Sequence, residues 1–141
     1  MNKTNLPITG GCACGKIRYE SAAEAVAMLH CHCTDCQKWS GGPFSSYTVV
    51  PKETFKITQG DLKFYLTDSA GGGKNHRGFC ADCGSPIISL PDSAPSVTAV
   101  MTGSLDDSSW FNQQFDVWTS DAQSWDTMNP ELPKFEKYPT A

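Results

Sequence analysis

The sequence contains the stretch Cys80-Ala81-Asp82-Cys83-Gly84, in which two thiols are separated by two residues and followed by a glycine. Two cysteines at this spacing lie across one tight turn, and the glycine relaxes the backbone just after it. Such a turn, called a zinc knuckle, supplies two thiolate ligands, whereas zinc in structural sites prefers four. The other two ligands must therefore come from elsewhere in the chain.

The pair Cys12 and Cys14 supplies the two missing ligands. Because side chains alternate along a strand, two cysteines separated by one residue point to the same face. A site made of Cys12, Cys14, Cys80 and Cys83 would be closed and structural, and it would add folding free energy to the domain. The alternative is that these four are buried, reduced cysteines without a metal.

Three further cysteines lie close together in the stretch Cys31-His32-Cys33-Thr34-Asp35-Cys36, and no eighth cysteine completes them. Three protein ligands and one exchangeable position are typical of catalytic zinc, whose open position accepts water or a soft sulfur ligand. One alternative is that His32 or Asp35 provides a fourth ligand, although alternation along a strand turns His32 away. Another is that the three thiols form a redox or metal-storage cluster.

Composition and charge narrow the class of protein. The 141 residues fit a single domain, 1–141, with its core at about 8–126 and a C-terminal coil at 127–141. A net charge of −4 argues against a nucleic-acid partner, since a phosphate backbone attracts basic surfaces. No apolar run approaches the ~20 residues of a membrane span, and none at the start resembles a signal peptide. We therefore expect a cytoplasmic protein without a membrane partner, in which seven reduced cysteines bind metal.

Short alternating runs between turn residues predict an all-β fold. The segments 55–58 and 62–66 are expected to form a hairpin across Gln59-Gly60-Asp61. Gly71-Gly72-Gly73 is interpreted as another hairpin tip, because no phosphate-loop motif follows it. Helical periodicity is absent apart from one turn after Cys33. Other strands are expected at 15–20, 26–33, 45–50, 76–79, 86–90, 97–103 and 115–119.

Several motifs together resemble one family. They are Gly11-Cys12-Ala13-Cys14-Gly15-Lys16-Ile17-Arg18-Tyr19, Cys31-His32-Cys33-Thr34-Asp35-Cys36-Gln37-Lys38, Pro43-Phe44 after two glycines, and Arg77-Gly78-Phe79-Cys80-Ala81-Asp82-Cys83-Gly84-Ser85-Pro86-Ile87. In the order and spacing of all seven cysteines, the chain from about Gly11 to Trp125 resembles the glutathione-dependent formaldehyde-activating enzyme family, also called the Gfa or centromere protein V domain family.

The resemblance implies a compact, all-β, Mss4-like sheet fold with two zinc ions per chain. It assigns Cys12, Cys14, Cys80 and Cys83 to the structural zinc, and Cys31, Cys33 and Cys36 to the catalytic zinc. The family's named reaction joins glutathione to formaldehyde as S-hydroxymethylglutathione, and its members are generally described as carbon–sulfur lyases. The chain is therefore expected to be a lyase of this type acting on a glutathione or other thiol adduct. The alternative is a non-catalytic, zinc-stabilised module that binds glutathione or a protein.

Five residues outside the cysteines are candidates for the site. We predict that Lys38 meets a carboxylate of a glutathione-like ligand and that Trp39 forms a wall of its pocket, the alternatives being a solvated lysine and a core aromatic residue. His76 is a candidate general base, or a surface residue. Trp118 is a candidate for the pocket rim. Asp116 stands where family members often carry a histidine. If that histidine binds the substrate or transfers protons, the substrate of this chain differs from that of those members.

Overall fold

A computed structural model describes residues 5–69 and 72–139, and short strands dominate both ranges. Helix α1 covers Thr34–Ser40, and 3-10 turns cover Lys52–Thr54, Thr102–Ser104 and Thr119–Asp121. The expected all-β class is confirmed, while Gly71 of the expected hairpin tip lies outside the described residues. The strands are β1 (Ile8–Gly11), β2 (Arg18–Ser21), β3 (Ala27–Cys31), β4 (Ser45–Pro51), β5 (Phe55–Gln59), β6 (Lys63–Asp68), β7 (Lys74–Phe79), β8 (Pro86–Pro91), β9 (Val97–Met101) and β10 (Phe115–Val117).

The strands form two sheets. The small sheet has the order β1-β2-β5, and the large sheet has the order β10-β3-β4-β9-β8-β7-β6. Strand β10 pairs with β3 in parallel, whereas the other neighbours in the large sheet are antiparallel. This order places β3, β4 and β9 side by side, so that one face of the large sheet brings together residues far apart in sequence.

Alternation of side chains along the large sheet divides the core into two layers. On one face, Val50 and Val100 pack in a cluster with Ile8 and Tyr19 of the small sheet. On the other face, Val49 belongs to a second cluster that contains two of the three close cysteines. The face that carries Cys31 and Cys36 is therefore the one turned away from the small sheet.

The hairpin expected across Gln59-Gly60-Asp61 is wrong, because the chain passes from one sheet to the other at this turn. Strand β5 pairs with β2 in the small sheet, and β6 pairs with β7 in the large sheet. At Gly60, with a φ of 80°, an added Cβ would lie 2.5 Å from the carbonyl oxygen of Lys16. The turn thus packs against the loop before β2, a long-range contact that the alternation of β5 and β6 does not specify.

Residues 127–139, expected to be coil, contain no helix or strand but run alongside β10. The backbone N–H of Asp116 donates to the carbonyl of Pro133 at 3.0 Å, and that of Phe135 donates to the carbonyl of Asp116 at 3.0 Å. The N–H of Trp118 donates to the carbonyl of Lys137 at 2.9 Å. The C-terminal segment therefore covers the β10 edge of the large sheet. None of the described helical residues forms a segment long and apolar enough to cross a membrane.

Candidate metal centres

Four cysteine sulfurs converge where the two sheets meet. The Sγ atoms of Cys12, Cys14, Cys80 and Cys83 all lie within 4.8 Å of one another. The distance from Cys12 to Cys14 is 3.5 Å, and that from Cys14 to Cys80 is 3.8 Å. Four thiolates around a tetrahedral zinc at about 2.3 Å would be about 3.8 Å apart. The spacing and the chemistry of these donors therefore fit one zinc ion.

Turn geometry, not strand alternation, brings Cys12 and Cys14 together. Both residues follow the end of β1, so the expectation that they share the face of a strand is wrong. The backbone N–H of Ile17 donates to Cys12 Sγ at 3.2 Å, and Gly15 takes a φ of 82° within the turn. The loop is thus a second knuckle, closed by a hydrogen bond to sulfur.

The knuckle at Cys80 and Cys83 lies between β7 and β8, and Gly84 has a φ of 75°, as the sequence predicts. Hydrogen bonds from Ser85 lower the pKa of the Cys83 thiol to about 5. Because β1 belongs to the small sheet and β7 and β8 to the large one, a metal held here would connect the two sheets.

The remaining three cysteines form a second cluster, with their Sγ atoms within 4.8 Å of one another. Cys31 ends β3, Cys33 caps α1 and Cys36 lies in that helix. The Sγ of Cys33 accepts a hydrogen bond from the N–H of Cys36 at 3.2 Å. Helix α1 is longer than the single turn expected, and it ends at Gly41, whose φ is 76°. The cap at Cys33 thus fixes the positions of two ligands at once.

The thiols of this cluster differ in pKa, and so in how readily each one ionises. The pKa of Cys36 lies well below its ordinary value, because this sulfur accepts hydrogen bonds from Cys31 and Cys33 and lies near Arg77. The pKa of Cys31 is raised well above its ordinary value by its contacts with Cys33 and Cys36 and by burial. Three thiols this close do not all ionise unless a cation offsets the charge. A divalent metal is the cation that this donor set fits.

His32 does not complete this cluster. Its buried ring lies with Nε2 2.7 Å from Asp116 and Nδ1 2.5 Å from Asp126. Both ring nitrogens are therefore within hydrogen-bonding distance of a carboxylate oxygen, and neither is free to bind a metal. Asp35 is exposed on α1. In residues 5–69 and 72–139, no histidine, aspartate or glutamate joins the group formed by the three cysteines.

Asp116 lies in a buried network of hydrogen bonds that holds neighbouring segments of the chain together. Asp116 is fully buried and accepts hydrogen bonds from His32, from Gln113 at 2.7 Å and from Lys134 at 3.2 Å. It lies on the face of β10 opposite to Val117, which packs with the cysteines. The carboxylate therefore ties β10 to β3 and to the C-terminal segment, and it does not face the three thiols.

We expect the substitution His32→Leu to lower the free energy of unfolding by about 3 kcal/mol or more, because the two buried carboxylates of Asp116 and Asp126 would each lose a hydrogen-bond partner. Urea denaturation of the zinc-loaded protein measures this loss. The matched control is His76→Leu, since His76 pairs with Asp92 at the surface, and its expected cost is under about 1 kcal/mol. Similar small losses in both variants would contradict the role given to His32.

A cavity of about 330 Å³ lies beside the three cysteines, on the same face of the large sheet. Next to Cys36, Arg77 donates from Nη1 to the hydroxyl of Tyr47 at 3.2 Å and lies 3.9 Å from the Cys36 sulfur. Tyr138 of the C-terminal segment also contributes, with its ring edge-on to Trp118 at 5.5 Å. The apolar wall consists mainly of Val26, Ala27, Leu29, Val49, Val97, Ala99 and Val117.

This constellation can be compared with known proteins. The model of the family described as glutathione-dependent formaldehyde-activating enzyme matches residues 7–121. The chain belongs to this family. The resemblance drawn from the cysteine motifs is thus confirmed, and all seven cysteines lie within the matched part.

Two relatives of this Gfa-family chain illustrate the range of similarity. A protein of Fusarium vanettenii named "Putative glutathione-dependent formaldehyde-activating enzyme" is 33% identical over 89 residues, which are 60% of this chain but only 47% of that protein. The chain thus spans less than half the length of this relative. The crystal structure of a Rhodobacter sphaeroides protein has a TM-score of 0.59 at 18% identity, covering 89% of this chain and 98% of that one, and it shows a shared fold.

Lys38 and Trp39 lie outside the cavity of this Gfa-family chain. Lys38 is exposed on α1. The ring of Trp39 packs edge-on against Phe79, with the Arg77 guanidinium 5.7 Å from its centre. Trp39 therefore packs against Arg77, which lines the cavity, and does not itself line it. A contact of Lys38 or Trp39 with a glutathione-like ligand stays a prediction.

The structure does not bring His76 to the cysteines. His76 and Arg77 are neighbours on β7 and so face opposite ways, and it is Arg77 that reaches the cavity. His76 lies on the other face, beside Asp92 and Lys52. The sequence pattern alone did not point to Arg77 or Tyr47 as residues of the site. Alternation along β7 shows that only one of His76 and Arg77 can face the thiols, but not which one.

Removing the positive charge of Arg77 is expected to weaken zinc binding at the three-cysteine cluster. Three thiolates and one divalent ion leave a net negative charge, which the buried guanidinium offsets. We expect Arg77→Met to lower zinc affinity there about 10- to 100-fold. Titration against a chelator measures both clusters in one sample, so the four-cysteine cluster serves as an internal control. Unchanged affinity at the three-cysteine cluster would contradict this role.

Proposed function

We propose that this Gfa-family chain is a zinc-dependent enzyme of the carbon–sulfur lyase type, acting on the adduct of an aldehyde with glutathione or another thiol. Cys31, Cys33 and Cys36 would hold the catalytic zinc, and Cys12, Cys14, Cys80 and Cys83 would hold a structural zinc. The observation that carries the proposal is the set of three thiols, without a fourth protein ligand among the described residues, at the wall of a cavity of about 330 Å³.

The chemistry follows from the donor set. Zinc held by three thiolates supplies a Lewis acid with one exchangeable position that accepts sulfur. In the adduct of a thiol with formaldehyde, RS–CH2–OH, cleavage breaks the carbon–sulfur bond, and the hydroxyl proton passes to the departing sulfur. The products are a thiol and formaldehyde, and the reverse reaction joins them.

The residues around the thiols position and insulate this reaction. The Tyr47 hydroxyl accepts a hydrogen bond from Arg77, so its own proton is directed to Cys36 Sγ, 3.3 Å away. The contact with Tyr47 holds the Cys36 sulfur in position. The apolar walls exclude water from the reacting sulfur, which strengthens electrostatic interactions inside the site.

The proposed function requires thiols that remain reduced. All seven cysteines are free of disulfides. Exposed thiolates persist in compartments where glutathione and thioredoxin keep cysteines reduced. We therefore place the protein, under this proposal, in the cytoplasm, with a small-molecule thiol as its partner.

Exchange spectroscopy tests turnover directly. Because the adduct also forms and breaks down spontaneously, the effect of the protein is measured as an increase in the rate over this background. The full chain with two zinc ions is added to an equilibrium mixture of formaldehyde and a thiol, and NMR measures the rate of carbon–sulfur exchange. We expect faster exchange with the zinc-loaded protein than with the metal-free protein. Binding of the thiol without faster exchange would favour the non-catalytic binding module. X-ray absorption showing four protein ligands at the Cys31 cluster would overturn the proposal.

A further inference from the structure

The cavity beside Cys31, Cys33 and Cys36 offers a ligand almost no free charge. Four of its polar side chains bind one another in pairs: Ser89 Oγ donates to Asn75 Oδ1 at 2.5 Å, and Arg77 donates to Tyr47 at 3.2 Å. Neither a lysine nor a carboxylate lines the cavity in the part of the chain that the structure describes. Among the described residues that line the cavity, Arg77 is the one with a charged side chain, and it lies against the thiols.

The floor of the cavity is a row of small and aliphatic side chains across three strands. Ala27 of β3 pairs with Val49 of β4, which in turn pairs with Ala99 of β9. The two alanines flank a valine, so the hollow results from side-chain size and not from a gap between strands. Ala27 is four residues from Cys31 on the same strand, about 13 Å along it. An apolar group can therefore extend from the thiols over this row.

The charge pattern of glutathione does not match these walls. Glutathione carries two carboxylates and one ammonium group. If they entered the hollow, they would be desolvated with no charged side chain of the described lining beside them except Arg77, which is already bound to Tyr47 and lies against Cys36. An alkyl or aryl group gains free energy on burial against the same walls. The physical chemistry of the cavity therefore favours an apolar substituent on the sulfur.

We propose that the thiol handled by this chain carries an alkyl or aryl group, which lies over Ala27, Val49 and Ala99 while its sulfur faces the three cysteines. The proposal rests on the proposed function, since it takes the three-cysteine cluster as the site that the sulfur reaches. It replaces glutathione with a more apolar thiol as the preferred partner.

Calorimetry on the zinc-loaded full chain tests the preference with three probes: phenylmethanethiol, 2-mercaptoethanol and glutathione. We expect phenylmethanethiol to bind at least about tenfold more tightly than either of the others, because its ring is buried. Glutathione binding as tightly as phenylmethanethiol would overturn the preference and leave the proposed function standing. Binding of none of the three would overturn both.

Two variants test whether the ring occupies the hollow. Ala99→Leu and Ala27→Leu each fill it from a different strand, so one remains informative if the other does not fold. Each is expected to weaken phenylmethanethiol binding about tenfold and to leave 2-mercaptoethanol binding unchanged, which also shows that the site is intact. The control is Ala22→Leu at an exposed position. Unchanged phenylmethanethiol affinity in a folded Ala99→Leu or Ala27→Leu protein would overturn the proposal.

Discussion

Replacing Cys80 with serine is expected to unfold the protein. Cys80 is 1% exposed and belongs to the core cluster between the two sheets. Zinc binding at a closed site of this kind is worth on the order of 10–16 kcal/mol, while a domain's net stability is about 5–15 kcal/mol. Loss of one of four thiolates from a buried position therefore removes free energy comparable to the whole stability of the fold.

The connection that this site makes explains why the loss would spread through the structure. Its ligands come from the turn after β1 in the small sheet and from the turn between β7 and β8 in the large sheet. Without the metal, the packing of Ile8 and Tyr19 against Val50 and Val100 would have to hold the sheets together alone. We expect the small sheet to separate first and the cooperative fold to be lost with it.

Circular dichroism and metal analysis measure this outcome. The Cys80→Ser protein should lose its β-sheet spectrum and the thermal transition of the parent protein. A control is serine at Cys33, which leaves the four-cysteine cluster intact. Equal loss of structure in the two variants would contradict the division into a structural and a catalytic cluster.

The partition of the cysteines could be predicted because metal ligation is a local constraint. The spacings around Cys80 and Cys33 each fit a single turn, and the structure groups the sulfurs in these two sets. The reason given for Cys12 and Cys14 is nevertheless wrong, since a turn and not a strand aligns them. A pair separated by one residue fits either backbone, so the spacing alone predicted the contact but not the conformation.

The cavity could not be predicted, because it depends on strand order. Val49 and Ala99 are fifty positions apart in sequence, and pairing of β4 with β9 makes them neighbours. Alternation indicates that each faces one side of a sheet, but it does not name the partner strand. The same lack of long-range information explains the wrong hairpin at Gly60. Tyr138 had no signal, since it lies in a segment without periodicity.

Replacing Cys33 with serine is expected to abolish the activity while preserving the fold. Cys33 is the N-cap of α1, and its sulfur accepts a hydrogen bond from the N–H of Cys36. Serine is among the best N-cap residues, so the substitution keeps the cap while removing a thiolate ligand. Helix α1 and the position of Cys36 should therefore survive the change.

The expected result is a protein with a parental circular dichroism spectrum that binds one zinc ion instead of two. Its rate of carbon–sulfur exchange should fall on the order of a thousandfold, since the Lewis acid is lost from the site. The variant Cys33→Ala removes both the ligand and the helix cap, whereas Cys33→Ser removes only the ligand. Cys33→Ala should therefore be less stable than Cys33→Ser by ~1 kcal/mol. Full exchange activity in Cys33→Ser would show that the three-cysteine cluster is not where the reaction occurs. Loss of activity with the fold and the cap retained would tie the chemistry to the third thiolate, since the serine variant changes little else at this position.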